Sequence, residues 1–183
     1  MAEAAARSIE TWPHVTEILR DAGLVSTEWM TEEDRDRGTA VHLAIKFLLE
    51  GTLDRSSLDP TVAPRLAQFE RFMVNVRPVI HAVEERVTHP LYRYQGTLDL
   101  RVTIKGRRGV VDVKGTTPSE FHGPQLAAYL GASEFAQERR PCRHNLYLHD
   151  DRYQLVERKN RFDWPAFLAA NSLKQWRESC KTS

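Results

Sequence analysis

The stretch from residue 96 to residue 115 constrains the fold most, because its apolar residues fall at every second position. They are Leu98, Leu100, Val102 and Ile104 in the first half, and Val111 and Val113 in the second half. Alternation of this kind is typical of a strand with one buried face. Residues 105–109 between the halves carry two glycines and resemble a hairpin turn. The pattern predicts an antiparallel hairpin with one aliphatic face, whose other face carries Asp99, Asp112 and Lys114.

Helical patterns flank this hairpin on both sides. The predicted elements are a helix from a Thr31 cap to Gly51, a helix at 64–76 ended by Pro78, a short strand at 83–87, a helix at 124–138, strands at 146–148 and 153–156, and a last helix capped by Asp163. This order predicts an α/β domain in which helices flank a mixed sheet of four or five strands. The helix at 124–138 is expected to complete a right-handed βαβ step.

The length of 183 residues suits one domain. We expect an acidic helical extension at 1–36, a core at 37–160 and a C-terminal helix at 161–183. Two cysteines are too few for a disulfide framework or a four-cysteine iron–sulfur cluster. No apolar run is long enough to span a membrane, and the N-terminal residues do not resemble a signal peptide. These features predict a cytoplasmic protein without a membrane partner or an iron–sulfur cluster.

The net charge of +1 hides a local asymmetry. Residues 1–36 hold nine acids and three bases, whereas residues 86–115 hold seven bases and two acids, and residues 139–161 hold seven bases and three acids. A basic surface in the second half of the chain would attract a phosphate polyanion. The same charges also suit an ordinary solvated surface, so both interpretations stay open.

The polar face of the predicted hairpin suggests chemistry. Counting from the predicted turn, Asp99 and Asp112 are offset by about two residues, which still leaves their carboxylates close together. Lys114 lies two residues after Asp112 and shares its face. Carboxylate oxygens suit Mg²⁺, and a divalent cation makes water easier to deprotonate. The alternative is an amphipathic hairpin whose three charged residues only face solvent.

Several segments of the sequence resemble, in order and spacing, the PD-(D/E)XK nuclease superfamily and specifically its RecB-like exonuclease branch. They are Arg37-Gly38-Thr39-Ala40-Val41-His42, Ala82-Val83-Glu84, Gly96-Thr97-Leu98-Asp99, Val111-Asp112-Val113-Lys114 and Gln125-Leu126-Ala127-Ala128-Tyr129. The resemblance covers roughly residues 37–130. It implies a restriction-endonuclease-like fold, with a mixed β-sheet flanked by α-helices. The superfamily's proline is absent before Asp99, where Leu98 stands.

The resemblance also implies roles for individual residues. The metal ligands would be Asp99, Asp112, Glu84, His42 and the carbonyl of Val113. Lys114 would act on the attacking water, and Gln125 and Tyr129 would orient the waters of the metal and contact the phosphate or a base. Glu85 is a rival of Glu84, because alternation places the two on opposite faces. His42 and Tyr129 could instead be structural residues of the core.

The implied function is a metal-dependent DNA exonuclease that hydrolyses phosphodiester bonds in recombination, repair or phage DNA processing. Mg²⁺ or Mn²⁺ is the expected cofactor, and no ATP is expected because the P-loop motif is absent. DNA is the expected partner, with recombination or replication proteins as further partners in a bacterial or phage-infected cell. The alternatives are a structure-specific endonuclease, an RNA nuclease or an inactive nucleic-acid-binding module. The expected nucleic-acid contacts are Arg101, Lys105, Arg107, Arg108 and Tyr129.

Overall fold

The computed structural model describes residues 12–25, 31–115 and 118–181. In chain order, its elements are α1 (Val15–Asp21), α2 (Glu32–Glu50), a 3₁₀ turn (Arg55–Ser57), α3 (Ala63–Val76), β1 (Val79–His89), β2 (Tyr94–Ile104), β3 (Arg107–Lys114), α4 (His122–Ala132), β4 (Cys142–Leu148), β5 (Tyr153–Glu157) and α5 (Asp163–Ser179). The strands form one sheet in the order β1-β2-β3-β4-β5. Only the β3–β4 pair is parallel. The predicted α/β class and mixed five-stranded sheet are confirmed.

Both ends of α2 have the capping residues that the sequence predicted. The Thr31 side chain accepts the backbone N–H of Asp34 at the start of α2, and Gly51 ends this helix with a left-handed φ of 71°. Both predictions are confirmed. The prediction that Asp163 caps the last helix is wrong, because Asp163 is the first residue of α5. Its carboxylate instead pairs with Arg143 at 3.1 Å, so the ion pair replaces the cap.

Three predicted boundaries are also wrong. The helix predicted at 124–138 ends at Ala132, because Ser133 is extended and its hydroxyl accepts the N–H of Phe135. The strand predicted at 83–87 is much longer, since β1 pairs along almost all of β2. Strand β4 begins at Cys142 rather than at 146, because it pairs with β3 from Gly109 onward. A Cβ at Gly109 would lie 1.8 Å from the Cys142 carbonyl oxygen, so this position requires glycine.

The hairpin between β2 and β3 is tighter than the sequence predicted. Its turn consists of Lys105 and Gly106 alone, and the strands already pair at Ile104 and Arg107. The pairing continues to Leu100 and Val111. Asp99 and Asp112 are therefore the next residues beyond this last pair, equally far from the turn. The predicted offset of about two residues is wrong, because the turn was taken to extend to Gly109.

Two apolar cores cover the two faces of the sheet. In β3, Val110 belongs to one core and Val111 to the other, as expected for neighbours in a strand. Leu100 packs in the core formed with α2 and α3, whereas Leu98 packs in the core formed with α1, α4 and α5. The predicted single aliphatic face of this strand is therefore wrong. The chain changes faces at Asp99, which leaves that side chain at the junction of the two cores.

The remaining connections complete this arrangement. Helix α4 links β3 to its parallel neighbour β4, which confirms the predicted βαβ step; its right-handedness stays a prediction. Helix α1 belongs to the second core, where Val15, Ile18 and Leu19 are fully buried. None of the helices in the described ranges is long and apolar enough to cross a bilayer.

Candidate metal centre and active site

Three side chains from separate elements meet where β1 and β2 change faces. His42 of α2, Glu84 of β1 and Asp99 of β2 each offer a ligand atom, and these atoms lie within 4.8 Å of one another. His42 Nδ1 is 3.2 Å from Glu84 Oε1 and 3.5 Å from Asp99 Oδ1. Residues far apart in the sequence thus form one compact group that could hold a divalent cation.

The structure distinguishes the two neighbouring glutamates. Glu84 reaches His42, and its backbone has a φ of 49°, a left-handed conformation that non-glycine residues rarely adopt. Glu85 instead places Oε2 3.0 Å from Arg101 Nε. The pairing of β1 with β2 is also irregular between Ile80 and Ala82. Of the two alternatives that the sequence left open, Glu84 is the one in the cluster.

Asp112 lies beside this cluster but outside the group of three. Its side chain is buried; Oδ1 accepts from Lys114 Nζ at 3.0 Å, and Oδ2 accepts from Asn145 Nδ2 at 2.8 Å. Asp99 Oδ2 accepts the backbone N–H of Val113 at 2.6 Å. This N–H ties Asp99 to β3, whereas the predicted role of the Val113 carbonyl as a ligand stays a prediction.

Burial and mutual proximity shift the protonation of these groups. Burial raises the pKa of Asp99 to about 7, which the charge of His42 opposes and that of Asp112 reinforces. The carboxylate of Asp99 raises the pKa of His42 to about 9, against the effect of burial. Burial alone lowers the pKa of Lys114, but Asp112 and Asp99 outweigh it and raise that pKa above its ordinary value. The metal-free site therefore holds protons that a divalent cation would displace.

These shifts predict that the metal-free protein loses stability as the pH rises. The pKa of His42 is about 9 in the folded chain against an ordinary 6.5, so its stabilising contribution is present below pH 6.5 and is lost as the pH rises through about 9. The raised pKa of Asp99 acts in the same direction between about 4 and 7. We expect the Tm measured in EDTA to fall between pH 6.5 and 9. In the double variant His42→Gln/Asp99→Asn, which removes both titrating groups, this fall should be clearly smaller, and equal slopes would contradict the assignment.

Gln125 and Tyr129 face the site from α4. Gln125 Nε2 donates to the Tyr129 hydroxyl at 3.2 Å, whereas Gln125 Oε1 is buried without a hydrogen-bond partner. Burial and the charge of Asp112 raise the pKa of Tyr129 to about 12, so this phenol stays protonated at neutral pH. A Cβ at Gly96 would lie 2.7 Å from Tyr129 Cε1, so glycine there makes room for the ring. The unpartnered oxygen of Gln125 indicates a place for a donor such as water.

The basic residues predicted to contact nucleic acid lie in two different environments. Arg101 is buried, pairs with Glu85 and Glu134, and lies 5.0 Å from the centre of the Phe135 ring. The structure therefore does not support Arg101 as a phosphate contact. At the hairpin tip, Lys105 lies in the turn. The two arginines there are already paired: Arg107 with Glu157 at 2.6 Å, and Arg108 with Glu138 at 3.0 Å.

Sequence reasoning missed three polar residues near the site. Asn145 donates to Asp112, and Arg158 Nε donates to Asn145 Oδ1 at 2.7 Å. The guanidinium of Arg65 in α3 packs against Gly115 at the end of β3. A Cβ at Gly115 would lie only 2.7 Å from Arg65 Nη1. No local pattern marks these residues, since each becomes relevant only through the pairing of β4 with β3 or the packing of α3.

The donor set suits a hard divalent cation. Two carboxylates and one imidazole can bind Mg²⁺ or Mn²⁺, and the remaining positions would go to oxygen atoms of water or substrate. Asp99 in particular is buried and carries a raised pKa, so a cation would relieve the cost of its negative charge. The residues present therefore match a divalent metal of this kind.

No protein-family model and no curated protein matches the chain. Among solved structures, it is similar to an alkaline exonuclease, LHK-Exo from Laribacter hongkongensis, with 12% identity and a TM-score of 0.44 over 100% of both chains. LHK-Exo in complex with dAMP shows 14% identity and a TM-score of 0.36, over 98% of this chain and 97% of that chain. The crystal structure of SSO0001 shows 16% identity and a TM-score of 0.40, over 75% and 68%. The functional assignment therefore rests on the site itself.

Proposed function

We propose that this chain is a divalent-cation-dependent DNA nuclease of the PD-(D/E)XK superfamily, with a restriction-endonuclease-like fold and exonuclease activity of the RecB-like kind. The observation that carries the proposal is the meeting of His42, Glu84 and Asp99 next to Asp112 and Lys114. All five belong to the segments whose order resembles that superfamily. Their convergence supports one chemical site rather than several unrelated solvent-facing charges.

In this proposal His42, Glu84 and Asp99 hold the cation, with Asp112 and the Val113 carbonyl as further candidate ligands. A divalent cation supplies charge stabilisation for a phosphodiester and promotes the ionisation of water. The N–H of Val113 fixes the orientation of Asp99. Neutral imidazole is the form of His42 that can bind the cation, so its proton must leave first.

Lys114 acts in this proposal as a cation. Its pKa is raised by the two neighbouring aspartates, which keeps the ammonium protonated. An ammonium at this position can hold a phosphate oxygen and orient the attacking water by donating a hydrogen bond. Tyr129 and Gln125 add two further polar groups on the α4 side of the site. The phenol can donate a hydrogen bond, and the buried Gln125 Oε1 can accept one.

The test is a digestion series with 5′-labelled, 3′-labelled and circular DNA and with labelled RNA. We expect Mg²⁺ or Mn²⁺ to support release of nucleotides from linear DNA, EDTA to stop it, and Ca²⁺ to permit binding with little turnover. Cleavage of circular DNA would overturn the exonuclease assignment, and a preference for RNA would overturn the substrate assignment. Binding without cleavage in any cation would indicate an inactive binding module.

The position of Arg65 predicts a DNA contact close to Lys114. Its guanidinium lies next to Gly115, one residue after Lys114, and its acidic partner Asp150 is largely exposed. We expect Arg65→Ala to weaken DNA binding severalfold and to reduce the salt slope of affinity by about one unit. Arg108→Ala, with its partner Glu138 nearby, is the matched control and should change both less. Binding measured against salt decides between them; a larger effect of Arg108→Ala would contradict this placement.

A further inference from the structure

We propose that Asn145 and Arg158 are positioning residues that hold the Asp112 carboxylate in its working orientation. The inference rests on the proposed nuclease site and extends it to two residues outside the recognised motifs. Within the described residues, neither side chain forms a hydrogen bond or an ion pair with His42, Glu84 or Asp99. Both act through Asp112, which the parallel pairing of β3 with β4 brings opposite Asn145.

The first link is the contact between Asn145 and Asp112. Asn145 has no solvent exposure, and its Nδ2 donates to Asp112 Oδ2 at 2.8 Å. An amide inside a core is costly unless both of its ends are satisfied. It could also turn over and present its oxygen to the carboxylate, which would be repulsive. The link therefore works only while another group fixes the direction of the amide.

Arg158 is that group. Its Nε donates to Asn145 Oδ1 at 2.7 Å, and a guanidinium can only donate, so the amide must direct its NH₂ group towards Asp112. Arg158 Nη2 is in turn held by the Tyr147 hydroxyl at 2.7 Å and by the Ser119 carbonyl at 3.0 Å. The Tyr147 hydroxyl and the Ser119 carbonyl therefore fix the guanidinium in the orientation in which its Nε donates to Asn145.

The network ends in a neutral histidine. The Tyr147 hydroxyl lies 2.7 Å from His122 Nδ1, which also accepts the backbone N–H of Ser119 at 3.3 Å. Because Arg158 donates to the hydroxyl oxygen, the hydroxyl proton is directed to His122. Burial lowers the pKa of His122 to about 3, so the ring is neutral at neutral pH, and the hydrogen bond from the Ser119 N–H makes Nδ1 its acceptor nitrogen. In the hydrogen-bond network from His122 to Asp112, each donor thus faces an acceptor.

The consequence concerns the two oxygens of Asp112. Lys114 holds Oδ1, whereas Asn145 holds Oδ2. When Lys114 turns to a phosphate, a buried carboxylate would be left without a partner unless the second hydrogen bond remains. The amide fixed by Arg158 supplies that bond, so Lys114 can move while Asp112 stays in place.

The test compares Asn145→Ala, Arg158→Ala and the double variant. Arg152→Ala is the control, because the ion pair that Arg152 forms among the described residues is with the exposed Asp151. The readouts are Mn²⁺ affinity by titration calorimetry, kcat and KM on linear DNA, and Tm. We expect each single variant to lower Mn²⁺ affinity and kcat about 10- to 100-fold, with KM for DNA nearly unchanged. The double variant should be no worse than Asn145→Ala, because Arg158 acts through the amide.

Other outcomes decide against the proposal. Wild-type Mn²⁺ affinity and kcat in both single variants, or additive losses in the double variant, would overturn it. A lower Tm with unchanged Mn²⁺ affinity would show a purely structural role. If Arg158→Ala does not fold, Arg158→Lys is the substitute. Lysine keeps the charge but cannot donate to Asn145, Tyr147 and Ser119 at once, so this variant should show the same losses of Mn²⁺ affinity and kcat. If wild-type protein binds Mn²⁺ but cleaves no DNA, the nuclease proposal fails, whereas the Mn²⁺ comparison still tests this inference.

Discussion

Asp99→Asn protein is expected to lose cation-dependent DNA cleavage by at least about 10²-fold while gaining stability in the absence of metal. The substitution removes one negative charge from the cluster with His42 and Glu84 and hardly changes the volume. The folded-state pKa of Asp99, about 7, lies above its ordinary 3.8, so at pH 8 the folded chain carries this carboxylate at a cost. Asparagine removes that cost and can still accept the N–H of Val113. Single-turnover rates and Tm in EDTA measure the two effects.

The adjacent glutamates provide a matched control for this result. Glu84→Gln should reproduce the loss of cleavage and of Mn²⁺ affinity, because Glu84 faces His42. Glu85→Gln changes the same functional group one residue away, but its partner is Arg101, so it should retain most of the activity. Equal losses in the two variants, or a wild-type rate for Asp99→Asn, would contradict the assignment of the cluster.

Lys114→Gln is expected to lower kcat by about 10²-fold or more while Mn²⁺ affinity is kept or increased. The variant keeps a hydrogen-bond donor for Asp112 but removes the positive charge that would stabilise a phosphate. Loss of the Lys114 ammonium beside the carboxylates also removes a positive charge that repels a divalent metal ion. Rates under single turnover and Mn²⁺ titration on the same protein separate the two effects.

The hairpin tip supplies the control for this second result. Lys105 is a lysine of the same hairpin but lies in its turn, away from Asp112. Lys105→Gln should leave kcat unchanged. A weakened Mn²⁺ affinity in Lys114→Gln that accounts for the whole loss of rate would contradict a direct role of the ammonium.

The sequence was sufficient for the local elements of the site. The alternation around Asp99 and Asp112, the cap at Thr31 and the spacing of Gln125 and Tyr129 each depend on neighbours within a few residues. These features predicted the presence of the strands, the helix start and the shared helix face correctly, although the alternation placed Leu98 and Leu100 on one buried face. The α/β class followed from the order of such elements.

The remaining features depend on contacts between distant residues. Leu98 and Leu100 pack in different cores, and Glu84, which lies between their partners in β1, has a left-handed φ. A period-two pattern reveals neither feature. The role of Asn145 depends on which strand pairs with β3, and that of Arg158 depends on the chain beyond β5 folding back over Asn145. Tertiary pairing decides such contacts, so local periodicity could not indicate them.

The most direct test of the account is the rate of nucleotide release from one end-labelled linear DNA, measured for wild-type protein in Mn²⁺, in EDTA, and for Asp99→Asn in Mn²⁺. The account predicts cleavage by the wild type in Mn²⁺, none in EDTA, and at least about 10²-fold less by the variant. Cleavage that survives exhaustive chelation, or equal rates for wild type and Asp99→Asn, would show that His42, Glu84 and Asp99 do not form the active metal centre.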